Sequence, residues 1–252
     1  MAKTIESVER CLTLLELISE REVVKLADLP DALGVSRATA FRMLITLQER
    51  GYVERVENSQ GYRLGPGVAV LAKATESSLL MRLTREAMTD LRERTGETIN
   101  FGLPRGRSLV YAEVIEGAFA LRLSGSVGQL IPPHATSLGK AFLAACSDDR
   151  QRQLVGGAPF RAYTDRTIVD WEMLTVELEE IRQRGYATEV EEMDVGASCV
   201  GAAIRDARGE PVAAISVSGF VARVGAQERE HYGVAVAGWC DRISRELGFQ
   251  PG

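Results

Sequence analysis

The feature that most constrains this chain is a closely spaced set of turn and cap signals between residues 33 and 65. Gly34-Val35 interrupts one apolar helical pattern, and Ser36 stands where the next begins. A serine there is a strong N-cap, because its hydroxyl accepts from the free N–H groups of the first turn. Gly51 then tolerates the left-handed backbone that ends a helix. The predicted elements are a helix over 4–20, carried by Val8, Cys11, Leu12 and Leu15, a short helix over 28–33, and a third over 36–50. Tyr52 to Val56 reads as a strand, Asn58-Ser59-Gln60-Gly61 as a turn, and Tyr62-Arg63-Leu64 as the returning strand. Three helices and a hairpin in this order make a winged helix-turn-helix.

At 100° per residue, Ala40, Met43, Leu44 and Leu47 share the buried face of the third helix. The opposite face carries Ala38, Arg42 and Glu49, flanked by Thr39 and Thr46, with Arg37 in the first turn. A recognition helix offers its N-terminal residues to the major groove. Arg37 and Arg42 suit guanine edges or phosphates, and Thr39 suits a phosphate or a thymine methyl. With Ser36 at the cap and Arg55 and Arg63 on the hairpin, these are the candidate DNA contacts. The net charge of the whole chain, −5, argues against a nucleic-acid binder. Location reverses the argument. Residues 36–65 hold five arginines against three glutamates, a local excess of +2. That excess is modest, so binding is expected to need dimerisation. A protein-interaction module of the same shape is the alternative reading.

Leu64-Gly65-Pro66-Gly67 is the clearest boundary, since proline is tolerated in the first turn of a new helix. The expected organisation is a winged helix-turn-helix over 1–65, a linker helix over 66–79 and a second domain over 80–252. The linker is read as a short helix from Val68 to about Ala74, and a separate helix is predicted over 80–94. Further helices are expected over 138–145, 148–155, 171–184 and 227–247. Strands are expected over 100–103, 108–114, 121–124, 186–190, 199–205 and 212–218. This is an α+β arrangement with a central antiparallel sheet.

Apolar residues make up 45% of the 252-residue chain and charged ones 26%, enough for a full core and against intrinsic disorder. Cys11, Cys146, Cys199 and Cys240 lie far apart, and His134 and His231 are the only histidines. No metal site, cofactor or disulfide framework is expected, and the scattered thiols suit a cytoplasmic location. Glu6, Glu9 and Arg10 interrupt any signal-peptide pattern, and no stretch is apolar enough to span a membrane.

The run Ile5-Glu6-Ser7-Val8-Glu9-Arg10, then Gly34-Val35-Ser36-Arg37-Ala38-Thr39-x-x-Arg42-x-Leu44-x-x-Leu47, then Gly51-Tyr52-Val53 and Tyr62-Arg63-Leu64-Gly65, resembles the IclR family of transcription regulators. The resemblance continues through His134-Ala135-Thr136-Ser137-Leu138-Gly139-Lys140-Ala141, Arg184-Gly185-Tyr186 with Glu191-Glu192, Gly196-x-x-Cys199 and Ala214-Ile215-Ser216-Val217-Ser218-Gly219. It covers essentially the whole chain. Pro30 and Phe41 depart from the family pattern. Pro30 costs little if it falls in the first turn of its helix. Phe41 either packs on the first helix or touches a thymine methyl.

The resemblance implies a GAF/PAS-like effector domain and a homodimer, often a dimer of dimers. It also implies a near-palindromic double-stranded operator and, more often than activation, repression of a catabolic operon. Its effector pocket carries over to Ser137, Leu138, Glu189, Cys199, Ser216 and Ser218. The residues read independently agree in part. Period two puts Ser216 and Ser218 on one sheet face, and the N–H groups at the start of the 138–145 helix suit the carboxylate of a small organic or aromatic acid. Glu189 would repel a bare carboxylate, so it is expected to meet a hydroxyl or keto-hydrate of the effector, or to be protonated. Cys199 reads equally as a small buried hydrophobe, His134 as structural, and Lys140 as a solvated or helix-packing residue. A thiol hydrolase built from Cys199, His134 and Glu189 is the enzyme alternative. Nothing resembling a nucleophile elbow, phosphate loop or metal cluster supports it.

Overall fold

The structure, a computed structural model, describes residues 4–56, 59 and 61–250, with side chains described for all of these except 20 and 72–78. Two compact units divide the chain, Met1–Ser78 and Leu79–Gly252.

In the first unit, helix α1 spans Glu6–Arg21 and is followed by strand β1 at Val24–Lys25. A 3-10 turn over Leu26–Asp28 leads into α2 at Leu29–Leu33. Pro30 sits in the first turn of α2, where its missing N–H removes no helical bond, so the expected tolerance holds and no kink results. Gly34 caps α2 in the left-handed region, and Ser36 caps α3, Arg37–Glu49, by accepting from the Thr39 N–H at 3.2 Å. Strands β2, Val53–Arg55, and β3, Gly61–Leu64, complete a three-stranded antiparallel sheet of order β1-β3-β2. The sequence reading missed β1, whose two residues are too few to show a period. Asn58 and Gln60 of the expected turn lie outside the described residues. Leu14, Ile18, Leu29, Ala40, Leu44 and Val53 form the core, and Met43 and Leu47 join it as the helical spacing requires.

Helix α4 runs unbroken over Pro66–Thr95, beginning in one unit and ending in the other. The two helices expected at 68–74 and 80–94 are therefore one. Residues 75–79 contain no glycine or proline to separate them.

The second unit is built on a six-stranded antiparallel sheet of order β6-β5-β4-β9-β8-β7. Its strands are β4 (Thr98–Arg105), β5 (Ser108–Ile115), β6 (Leu130–Ile131), β7 (Ala187–Val190), β8 (Ala197–Arg205) and β9 (Pro211–Phe220). The expected strand over 121–124 is absent. The Thr98 hydroxyl takes the Leu123 carbonyl at 2.5 Å, a group that a ladder would need. The edge beside β5 is filled instead by β6.

Strand parity divides the sheet into two unlike faces. Ile99, Phe101, Val200, Ala202, Ile204, Ala213, Ile215 and Val217 face one way. They pack on the end of α4, through Leu83, Ala87, Met88 and Leu91, and on α8, Ala226–Glu246, through Val236, Cys240 and Ile243. The other face meets α5 (Ser137–Ala145) and α7 (Trp171–Arg184), with α6 (Asp148–Val155) between them in sequence. Here the strands offer small or polar residues: Asn100 and Gly102 from β4, Cys199 and Gly201 from β8, Ser216 and Ser218 from β9. No described helix is long and apolar enough to cross a membrane.

The Ser36 cap gives a direct check on the N-terminal unit. Ser36→Ala should cost about 1 kcal/mol. Amide hydrogen exchange along α3 should quicken roughly fivefold as a result.

Candidate functional site

On the first unit, Ser36, Arg37, Thr39 and Arg42 are all exposed on the N-terminal half of α3. The Ser36 and Thr39 hydroxyls lie 2.9 Å apart, so the cap also orients the threonine. Among the described residues the side chains of Arg37, Arg42 and Arg55 have no ion-pair partner. Arg63 differs. It stands across from Glu54 in the β2–β3 register and donates to that carboxylate at 2.6 Å. A phosphate would have to compete with Glu54 for it. Phe41 is 44% exposed, so much of its ring is open to a partner.

In the second unit, Ser137, Leu138, Glu189, Cys199, Ser216 and Ser218 all line one cavity of about 120 Å³. A single water needs only about 10–15 Å³ of such space, so the cavity accommodates a small organic molecule. Two rungs of the sheet account for the gathering. Glu189 lies opposite Cys199, Cys199 opposite Ser218, and Ser218 opposite Thr98. One rung along, Gly201 lies opposite Ser216, and Ser216 opposite Asn100.

Above these rungs sits the start of α5. Thr136 caps it by accepting from the Gly139 N–H at 3.1 Å. The N–H groups of Ser137 and Leu138, in the first turn, have no helical acceptor. The approach is close. A Cβ on Gly201 would lie 3.0 Å from the Leu138 nitrogen and 3.1 Å from the Ser137 oxygen.

The rest of the lining is not cationic. Glu189 and Asp194 contribute carboxylates, and no Lys or Arg takes part. Glu189 is held by the main chain, its Oε1 accepting from the N–H of Glu192 at 2.7 Å and of Met193 at 3.2 Å. Burial, and then the Glu189 charge, push the Cys199 thiol well above its ordinary range. Burial likewise pushes Tyr111 up. Cys199 is therefore a neutral thiol. His134 lies elsewhere, bonded through Nε2 to the Arg161 carbonyl at 2.9 Å and packed on Phe160 and Tyr163. Burial lowers its pKa. The hydrolase triad has no geometry.

Sequence reasoning missed Asn100, Tyr111 and Asp194 in this lining. Asn100 left one signal, an amide between Ile99 and Phe101 in an apolar strand. Of the two readings of Lys140 the solvated one fails, since the residue is 1% exposed, and the helix-packing one fits. Its Nζ reaches Glu192 at 2.6 Å and Glu177 at 3.2 Å. Helical periodicity put Lys140 on α5 but did not reveal that α7 and the loop after β7 close over it.

Comparison with known proteins follows the same division. A family profile described as the IclR helix-turn-helix domain matches residues 7–57, and one described as the bacterial transcriptional regulator IclR C-terminal domain matches residues 72–245. The chain is 31% identical to the HTH-type transcriptional regulator XynR of Escherichia coli K12, over 97% of this chain and 98% of that one. It is 30% identical to the transcriptional repressor IclR of the same organism, over 92% of this chain and 86% of that one. Among solved structures, the Thermotoga maritima IclR crystal structure superposes with a TM-score of 0.65 at 26% identity, covering 98% of this chain and 100% of that one.

The charged cluster behind the cavity has a pH signature. Burial raises the Glu192 carboxyl, and Lys140 offsets only part of that, leaving it at about 7 against an ordinary 4.5. The folded state thus holds this proton more tightly than the unfolded chain between those values. Stability falls with rising pH wherever the folded state binds more protons. Relative to Glu192→Gln, the wild type should lose stability from about pH 4.5 to 7 and level off above, as read by urea denaturation across that range.

Proposed function

The chain belongs to the IclR family of transcription regulators, and from that premise we propose that it represses a catabolic operon and releases its operator according to a small organic acid held in the C-terminal cavity. Members of this family are DNA-binding regulators and not enzymes. The observation that carries the reading is the convergence of Ser137, Leu138, Glu189, Cys199, Ser216 and Ser218 around one cavity at a helix N-terminus. A carboxylate suits the two N–H groups there, which bind anions without a side-chain charge. The far end, with Glu189, suits a hydroxyl.

The DNA contacts are assigned to Ser36, Arg37, Thr39 and Arg42, with Arg55 and Arg63 on the wing. Arg37 and Arg42 lead, since their guanidinium groups are exposed and unpaired among the described residues. Arg63 comes last because Glu54 already holds it. The functional organisation is a DNA-binding domain over 1–65, a linker over 66–79 and an effector domain over 80–252. Val8 and Leu12 on α1, with Ile5 at its N-cap, are exposed apolar residues at helical spacing, which supports a homodimer paired through its N-terminal units. Two recognition helices would then address the half-sites of a near-palindromic operator. The protein works in the cytoplasm, where the operator is. The effector shifts operator affinity only as far as it binds the free and bound states differently. The kinship with a transcriptional repressor supports repression over activation.

Two measurements test this. In a gel shift on the upstream region of its own gene, the intact protein should retard the DNA, and Arg42→Ala should weaken binding by roughly tenfold with the fold intact. Absence of any shift at low salt overturns the DNA reading. In a thermal-shift screen of organic acids, at least one should raise the melting temperature, and Ser218→Ala should abolish the rise. A uniformly flat screen overturns the organic-acid reading.

A further inference from the structure

The cavity wall contains a polar atom that nothing in the protein satisfies. Asn100 is 1% exposed, and its amide nitrogen donates to Ser218 Oγ at 3.0 Å and to Ser216 Oγ at 3.3 Å. Both amide protons are thereby used on the serine pair. Its Oδ1 is buried and has no hydrogen-bond partner among the described residues. Leaving such an acceptor unmade in a protein interior is costly. Register explains why the side chain has no alternative. Asn100 stands directly opposite Ser216 on the face shared with Ser218, so it must project into the cavity and not into the apolar core.

The charges around it point the same way. Glu189 and Asp194 line the cavity, and no basic side chain opposes them. Glu189 already takes two main-chain N–H groups on one oxygen. The donors of the wall are the serine hydroxyls, the Tyr111 phenol, the Gln129 amide and the two N–H groups at the start of α5, and Asn100 Oδ1 has no partner among them. A ligand that presented only acceptors, such as a simple fatty acid or an unhydrated 2-oxo acid, would leave Asn100 Oδ1 as orphaned as before.

We propose that Asn100 is an effector-binding residue whose Oδ1 accepts a hydrogen bond from a hydroxyl of the ligand, and that the effector is a hydroxylated organic acid. This rests on reading the cavity as the effector site. The carboxylate lies at Ser137 and Leu138, and at least one hydroxyl lies toward Asn100. Ser216 and Ser218 act through Asn100 as well as on the ligand, because they hold the amide with its oxygen facing inward. A site built to bond a hydroxyl discriminates strongly against the analogue lacking it.

The test is calorimetric titration of the full chain with matched probes. Glycerate is set against propionate and pyruvate, and gluconate against hexanoate. Wild type should bind the hydroxylated member of at least one set about tenfold or more tightly than its partners. Asn100→Ala should shrink that preference to about threefold or less while changing affinity for the deoxy acid by less than about twofold. Asn100→Asp keeps an acceptor oxygen at the same place and should retain the preference, which guards against a general loss of packing. If Asn100→Ala fails to fold, the near-isosteric Asn100→Leu, which has no acceptor, takes its place under the same expectation. Equal binding of hydroxylated and deoxy acids by wild type, or an undiminished preference in Asn100→Ala, overturns the Asn100 assignment and leaves the effector site standing. Glycerol, which has hydroxyls and no carboxylate, separates the two readings from the other side. If it binds in an Asn100-dependent way while no acid does, Asn100 stands as a hydroxyl acceptor and the organic acid falls. Silence from every probe overturns both.

Discussion

Gly201 lets the first turn of α5 come down onto the sheet, and most of the C-terminal unit is arranged around that contact. With no side chain at this point, the helix backbone approaches β8 to a distance at which even a methyl group would press on the Leu138 nitrogen. Two consequences follow. The free N–H groups of Ser137 and Leu138 are brought over the rungs that carry Ser216, Ser218 and Cys199. Further along, Ala141 and Phe142 of α5 can close the core against α7. The cavity is the space left where a helix end meets a sheet whose residues are too small to fill it.

Much of this was legible in the sequence, because local chemistry and tertiary structure agree. Ser36 has the cap geometry its hydroxyl allows, α6 and α7 begin and end at the expected residues, and the parity of β9 separates Ile215 and Val217 from Ser216 and Ser218. The failures have a common origin in partners distant along the chain. Strand β1 exists only because β3 pairs with it, and the 121–124 segment pairs with no strand, the place beside β5 being taken by β6. Lys140 is exposed or buried according to what α7 and the loop after β7 bring to it. Asn100 was passed over because its meaning lies in Ser216 and Ser218, more than a hundred residues away.

The acidic composition and the DNA-binding unit are reconciled by placement of charge and not by its sum. On α3 the arginines of the exposed face are unpaired among the described residues, while on the wing Glu54 neutralises Arg63. A surface of this kind attracts nucleic acid weakly at long range, since few phosphates are matched. On the proposed assignment, its discrimination comes from short-range contacts at the start of α3.

Glu189 and Asn100 reach the same cavity by different means. Glu189 is fixed by peptide N–H groups, which any sequence other than one with proline at 192 or 193 supplies. Asn100 is fixed by two serine side chains, which a single nucleotide change can remove. The placement of the Glu189 carboxylate is thus set by the backbone, and the pattern of donors and acceptors beside it is set by three replaceable side chains. On the proposed reading of the cavity as the effector site, that separates a scaffold to keep from a set of positions to vary. Asn100, Ser216 and Ser218 form one combinatorial library on adjacent strands, and Glu189 is the constant against which it is read.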